Sequence, residues 1–265
     1  MLVGGGANIA VQVGDDGVLV VDTGIAATSE KVIAAIRRLS DGPIRWIVNT
    51  NGDPDHTGGN TAISHAGRTV NGNSAAIHAH EDVLTRMDKA GVPQSSWPLN
   101  TYYEPSKDFY FNGEAIFLKH APAAHTSGDT IVYFRHSDVI VAGDVFMTTT
   151  YPVIDTKNGG SVEGLIDGMN YILDVAVPKR LQEGGTYVVP GHGRVSDEAD
   201  VLEYRDMLVI VRDRIQDLIK KGRTLEQIKA ARPTLDYDPR YGAASGPWTT
   251  ALFIEAVYQD LSKKK

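Results

Sequence analysis

The chain contains no cysteine. That absence removes disulfides, thiol nucleophiles and thiolate ligands together, so any metal ion must be held by His, Asp, Glu or Asn. Positive charge is also in deficit: 26 Lys and Arg stand against 33 Asp and Glu, for a formal net charge of −7. No basic stripe is left to neutralise a phosphate backbone, so a nucleic-acid partner is not expected. No apolar run approaches bilayer-spanning length, and a membrane is not expected either. The N-terminus lacks a charged start followed by an apolar run and a cleavage site. Met1 leads almost directly into a strand pattern, which leaves an upstream export segment and the compartment open. With neither a linker nor a low-complexity tract, the 265 residues read as one unit, 42% of them hydrophobic and able to bury a substantial core.

What is present is an alternation of strand and helix signals. Ile9–Val13 and Val18–Val21 flank the turn Gly14-Asp15-Asp16-Gly17 and predict a hairpin. Val32, Ile33, Ile36 and Leu39 fall at helical spacing within Thr28–Leu39, and the strand Ile44–Val48 follows the Asp41-Gly42-Pro43 break. A short helix is expected around Asn60–His65 and another over Glu81–Lys89, with Gly91–Ser106 as a long loop. Downstream, Glu114–Lys119, Thr130–Phe134 and Val139–Ala142 predict a second sheet, joined by a strand at Thr186–Val189. Helices are expected over Val162–Leu173, Ala199–Lys220 and Thr249–Leu261, with Thr224 and Gln227 forming a capping-box pattern. These elements imply two β-sheets between helical layers, with a C-terminal helical region over about residues 199–265.

The densest concentration of chemistry is Asn51-Gly52-Asp53-Pro54-Asp55-His56-Thr57-Gly58-Gly59-Asn60, directly after the Ile44–Val48 strand. In extended backbone Asn51, Asp53 and Asp55 would project to one side and His56 to another, so the loop can partly wrap one or two ions. Three further signals flank predicted strands: Ala124-His125-Thr126-Ser127-Gly128-Asp129, Ala142-Gly143-Asp144 and Val189-Pro190-Gly191-His192-Gly193. Taken singly, an Asp-rich turn, a loop histidine or a strand-end Asp is more often a capping or turn residue than a ligand. Four such contexts in one order reverse that judgement. His78-Ala79-His80 is a weaker candidate, because Glu81 and Asp82 are better explained as the acidic first turn of a helix. Trp97, Tyr102, Tyr103, Phe109, Tyr110 and Phe111 read mainly as packing residues, with Trp97 and Tyr102 placed to wall a pocket.

These contexts resemble the metallo-β-lactamase superfamily, in its glyoxalase II-like and lactonase-like hydrolase branch. The family's usual loop is H-x-H-x-D-H followed by Gly-Gly, with His, Asp and His ligands later in the chain. The resemblance implies an αββα sandwich of two mixed β-sheets between helical layers. It further implies a second metal site formed by Asp55, His56 and His192, with Asp144 bridging toward a first site where His125 remains and with Asp22 supporting the ligands. Asn51 and Asp53 stand where the family has its first two histidines, so a standard dizinc centre is not expected. Zn²⁺ is the expected ion of the second site, with Fe or Mn²⁺ as alternatives. Asp53, Asp144 and His125 would hold a second ion only weakly.

A small-molecule substrate and a metal-activated water follow from that resemblance, with Asp55 or Asp53 orienting or deprotonating the water. An ester, thioester, lactone, lactam or phosphoester is the expected substrate class. Asp144 stands where zinc β-lactamases commonly carry Cys or Ser, which places antibiotic hydrolysis second. Asn51 nevertheless matches a mono-zinc β-lactamase subclass, so weak activity of that kind is an alternative. The other alternative is a non-catalytic ligand-binding member. It turns on whether Asp53 faces the metal or forms a salt bridge. The sequence names neither an oligomeric state nor a protein partner.

Overall fold

The structure is a computed structural model describing residues 1–263; Lys264 and Lys265, the end of the tail Lys263–Lys265 expected to be solvated, lie outside the described residues. The chain opens with β1 (Ala10–Gly14) and β2 (Gly17–Val21), paired antiparallel across the Asp15-Asp16 turn. Next come α1 (Ser29–Leu39), β3 (Ile44–Val48), α2 (Pro54–Thr57), α3 (Asn60–Ala66), β4 (Ala76–His80), α4 (Glu81–Lys89) and β5 (Asn100–Tyr102). The first sheet runs β1-β2-β3-β4-β5, with β2 to β5 parallel.

The second half holds β6 (Ser106–Phe111), β7 (Glu114–Ala121), β8 (Asp129–Phe134), β9 (Val139–Gly143), α5 (Val162–Val175) and β10 (Tyr187–Pro190). Its sheet runs β10-β9-β8-β7-β6, antiparallel except for the parallel β9–β10 pair. The chain ends in α6 (Glu198–Lys220), α7 (Leu225–Ala231), α8 (Asp238–Tyr241) and α9 (Thr250–Lys263). Both sheets are therefore mixed, as an αββα sandwich requires.

Burial follows from the pleat. All five residues of β2 are buried because both faces are covered. Leu19 and Val21 join Val48, Ile116, Leu118, Val132 and Val141 between the sheets. Val18 and Val20 face the other way, with Val32 and Ile36 of α1 and Ile63 of α3. The C-terminal helices cover the outer face of the second sheet, where Leu208, Val211, Phe253 and Val257 pack with Ile140 and Val188. The Thr224–Gln227 capping box forms as expected.

Two expectations change, and one strand is added that the sequence reading did not foresee. Residues 91–106 are not one loop: they contain a 3-10 turn at Gln94–Ser96, the edge strand β5 and the start of β6. β4 carries His78 and His80 and is an interior strand of the first sheet, between β3 and the edge strand β5, which its small and polar residues conceal in sequence. The motif loop is not extended throughout either. Asp53 takes the N-cap position and Pro54 the first turn of α2, where a proline's fixed φ and missing N–H are tolerated, so Asp55 and His56 sit on a helical turn.

His78 lies between the sheets, stacked on Trp46 at 4.5 Å between ring centroids, and neither ring nitrogen has a hydrogen-bond partner. Burial, with the Lys107 ammonium adding to it, pushes this imidazole down to about 4. The group therefore supports folding fully above its unfolded value near 6.5 and loses that support as pH falls toward 4, on the order of 3 kcal/mol in total. In His78→Phe, which keeps the stack and strands no hydrogen bond, the fall in melting temperature between pH 6.5 and 4 should be shallower than in the parent. Equal slopes would refute the assignment.

Candidate metal centre

The motif residues gather at one edge of the sandwich, beyond the C-terminal ends of β2, β3, β7, β9 and β10. Strand ends place side chains more precisely than free loops do, and the crevice outside such ends is where open α/β sheets bind ligands. Asp144 directly follows β9, and Gly191-His192 follow the neighbouring parallel strand β10. At Gly191 an added Cβ would collide with Asp144 Oδ1 and the Gly143 backbone, so only glycine lets the two loops approach this closely.

Two groups of donor atoms result, each within 4.8 Å: Asp55, His56 and His192, and Asp53, His125 and Asp144. Asp144 joins them. Its Oδ2 is 3.1 Å from His56 Nε2 and 3.8 Å from His125 Nε2, and its Oδ1 is 3.6 Å from His192 Nε2. Asp55 Oδ2 lies 3.2 Å from His192 Nε2.

Each buried histidine is held from behind. His56 Nδ1 donates to Asp22 Oδ2 at 2.8 Å, and Asp22 also accepts from Thr50 N at 2.8 Å and Thr50 Oγ1 at 2.7 Å. Asp22 adopts a left-handed backbone, φ 62°, to turn its carboxylate under the ring, which is local strain at a site that uses it. His125 Nδ1 donates to the Val153 carbonyl at 2.9 Å. With both Nδ1 atoms committed as donors, the neutral tautomers present bare Nε2 lone pairs to carboxylate oxygens. Acceptor facing acceptor is stable only with a proton or a cation between them.

The charges answer that demand. Burial would push His125 down, but its hydrogen bond to Asp53 and the carboxylates of Asp144 and Asp129 lift it to about 10. His56 is raised well above the ordinary value: Asp144 and Asp22 outweigh its desolvation. Burial pushes Asp144 up, yet His56, His125 and His192 together hold it far below the carboxylate range. His56 Nε2 and Asp144 Oδ1 are buried without any hydrogen-bond partner. Two imidazole nitrogens and two carboxylates around these orphaned atoms form a donor set that suits a divalent cation.

The remaining sequence candidates differ in placement. Asn51 is fully buried; its Oδ1 accepts from Asp53 N at 2.8 Å and its Nδ2 lies 3.4 Å from Asp144 Oδ2, so it braces the loop. Asp53 both faces the centre and forms a salt bridge: Oδ2 accepts from His125 Nε2 at 2.8 Å, while Oδ1 is paired with the Arg86 guanidinium.

Neither aromatic residue walls the centre. Tyr102 is 2% exposed, its hydroxyl bonded to Thr130 Oγ1 at 2.8 Å, so it is a core residue. Trp97 packs with Val83 and Met87, donates to the Val92 carbonyl and lines a separate cavity with Ser64 and Asn100. Sequence reasoning missed Arg86, which a lone basic residue on an amphipathic helix does not advertise. It weighed His80 and Asp82 as a weaker candidate but did not foresee that His120 joins them in a third group, in which the two imidazoles stack at 3.6 Å.

An αββα sandwich with His and Asp clusters at its strand ends defines a class of metal-binding hydrolase folds. The chain belongs to the metallo-β-lactamase superfamily, whose sequence profile matches residues 2–230. Members of that superfamily bind metal ions, typically zinc, and include hydrolases such as alkylsulfatases and β-lactamases. The linear primary-alkylsulfatase of Pseudomonas sp. (strain ATCC 19151) is 24% identical over 293 residues, covering 92% of this chain and 53% of that protein. The chain thus spans about half the length of the curated relative it matches. Among solved structures, the stereoselective inverting sec-alkylsulfatase of a Pseudomonas species aligns with a TM-score of 0.67 at 15% identity, over 96% of this chain and 47% of that one. The metallo-β-lactamase from Pontibacter korlensis aligns at 0.61 and 16%, over 75% and 85%. These structural likenesses establish the fold. Among the described residues, no helix is long and apolar enough to cross a membrane.

Proposed function

We propose that this protein is a zinc-dependent hydrolase with one well-formed metal site, made by Asp55, His56, Asp144 and His192, acting as a single unit over residues 1–265. The observation that carries this reading is the buried, unpartnered pair His56 Nε2 and Asp144 Oδ1 between groups already fixed from behind. When bound, the ion supplies Lewis acidity and makes water nucleophilic at neutral pH. The chain's own residues do the rest. Asp22 and Val153 fix the imidazole tautomers, and Asp55, half-exposed and hydrogen-bonded to His192, orients the attacking water and accepts its proton. Asp53, committed to Arg86 and His125, is the weaker candidate for that role.

A cavity of about 850 Å³ runs along the outside of the motif loop, lined by Gly52, Pro54, Arg86, Lys89, Ser127 and Lys157. Asp82 is the one carboxylate in its wall and Arg86 is already paired with Asp53 and Asp155, so in a chain of net charge −7 it is Lys89 and Lys157 that offer positive charge here. That polarity suits an ester carrying negative charge, and the alkylsulfatase relative favours a sulfate ester among such substrates. Arg86 pairing with Asp53 also gives weight to a second reading, ligand binding without turnover.

Elemental analysis of protein purified without added metal, paired with a panel of alkyl sulfate, phosphodiester, lactone, thioester and β-lactam substrates, separates the two. Near one equivalent of zinc with chelator-sensitive turnover of the alkyl sulfate is the expected result. One equivalent with no turnover on any substrate would leave a binding protein, and no metal even after zinc is supplied would overturn the site itself.

A further inference from the structure

The two donor groups are built from similar residue types and share Asp144, yet their surroundings differ in one respect. Asp55 pairs only with His192, and among the described residues no Arg or Lys forms an ion pair with Asp55 or Asp144. Asp53, by contrast, has both oxygens engaged, Oδ1 by the Arg86 guanidinium and Oδ2 by His125 Nε2. The asymmetry lies at the position where the sequence departs from its family.

Arg86 is not free to swing away. Its Nη2 also lies 3.5 Å from Asp155 Oδ2, which makes a carboxylate–guanidinium–carboxylate bridge. Asp155 is itself pinned: its Oδ1 accepts from the Lys157 N–H at 3.2 Å, its Oδ2 from Asn158 Nδ2 at 2.6 Å, and its own N–H donates to the His125 carbonyl at 3.0 Å. Arg86 Nη1 is buried with no partner, so the guanidinium is held in place although one of its nitrogens goes unsatisfied. From helix α4 it therefore delivers a permanent positive charge to a ligand-like carboxylate, on a scaffold that also carries His125.

We propose that Arg86 sets the metal count of the centre at one, by occupying Asp53 and placing its charge where a second divalent cation would bind between Asp53, His125 and Asp144. The inference rests on the reading that Asp55, His56, Asp144 and His192 hold one ion. Two effects act together. The guanidinium competes for Asp53 Oδ1, and its charge repels a cation arriving at Oδ2 of the same carboxylate. Arginine suits this role better than lysine would, because it cannot shed its proton when a metal approaches, and its Nη2 faces Asp53 and Asp155 at once. Metal count in this chain is thus governed by a side chain outside the motif.

The test is zinc titration of metal-free protein by calorimetry, with bound zinc counted by elemental analysis after gel filtration. The parent should bind one equivalent tightly, Arg86→Gln should take a second equivalent about tenfold or more tighter than the parent does, and Arg86→Lys, which retains the charge, should stay near the parent. If Arg86→Gln gains no second ion, or loses the first, Arg86 is a positioning residue for Asp53 and the proposal is overturned. Should Arg86→Gln fail to fold, the parent still decides. Two tight equivalents there would overturn the Arg86 proposal while leaving the metal site standing, and no zinc at all would remove the site and the proposal together.

Discussion

Asp144→Asn should cost the protein both its metal and its turnover, the largest loss from any single substitution in the centre. Among the described residues it is Asp144 that joins the two donor groups: its carboxylate lies within 3.8 Å of His56, His125 and His192. An amide keeps the shape but offers one neutral oxygen, and its NH₂ would face imidazole nitrogens. Loss of a supporting partner behind a ligand costs about 10–100-fold in metal affinity or activity, so loss of a shared anionic donor should exceed about 100-fold. The metal-free protein makes a separate prediction. There His56 and His125 hold their protons because Asp144, with Asp22 and Asp53, surrounds them with negative charge. Removing one partner of a buried charge cluster costs about 3–5 kcal/mol, visible as a lowered melting temperature at neutral pH. The sign with pH is fixed as well. Histidines raised in the folded state give support that is fully present below about 6.5 and lost as pH rises through their folded values, about 10 for His125. The melting-temperature gap between parent and D144N, both metal-free, should therefore narrow as pH rises toward 10. Full zinc content and rate in D144N would place the centre elsewhere.

How far this centre was legible in the sequence depended on whether its parts are local. Asp55, His56, Asp144 and His192 stand beside strand ends marked by apolar runs and glycines, so they were recognisable together, as contexts in one order, although none was recognisable alone. Arg86 was not, because its role depends on α4 packing against the motif loop, a contact some thirty residues apart in sequence that no periodicity encodes. Tyr102 failed in the opposite direction. An aromatic residue in an apparent loop reads as a pocket wall, but pairing of His80 with Tyr102 adds the segment to the first sheet and turns the ring into the core. β4 was hidden for a related reason: Ala76-Ile77-His78-Ala79-His80 has the alternation of a strand, but its inward positions are histidines. Those rings are buried by stacking on Trp46 and His120, a tertiary arrangement that hydrophobicity alone does not register.

Asn51→His combined with Asp53→His should convert the centre to two bound ions and raise turnover by about tenfold or more, a barrier lowered by at least ~1.4 kcal/mol. Asn51 is already placed for this, fully buried with Nδ2 3.4 Å from Asp144 Oδ2, so an imidazole there would project toward the carboxylate both groups share. Asp53→His alone should do less. Asn51 Oδ1 is spent on the Asp53 backbone N–H at 2.8 Å, and the first group would gain one imidazole while losing one anion. The double variant also leaves Arg86 with Asp155 as its remaining carboxylate partner, so its charge still weighs against the second ion. Adding Arg86→Gln should then strengthen second-ion binding beyond the sum of the separate changes, since neighbouring substitutions that share a partner do not add. Metal counts and rates on the same samples divide the outcomes. Two ions with a faster rate mean that Asn51 and Asp53 hold the native protein below its capacity. Two ions with an unchanged rate mean that the Asp55–His56–Asp144–His192 site already does the chemistry alone. One ion throughout means that the Asp53 position no longer belongs to a metal site in this chain, whatever residue occupies it.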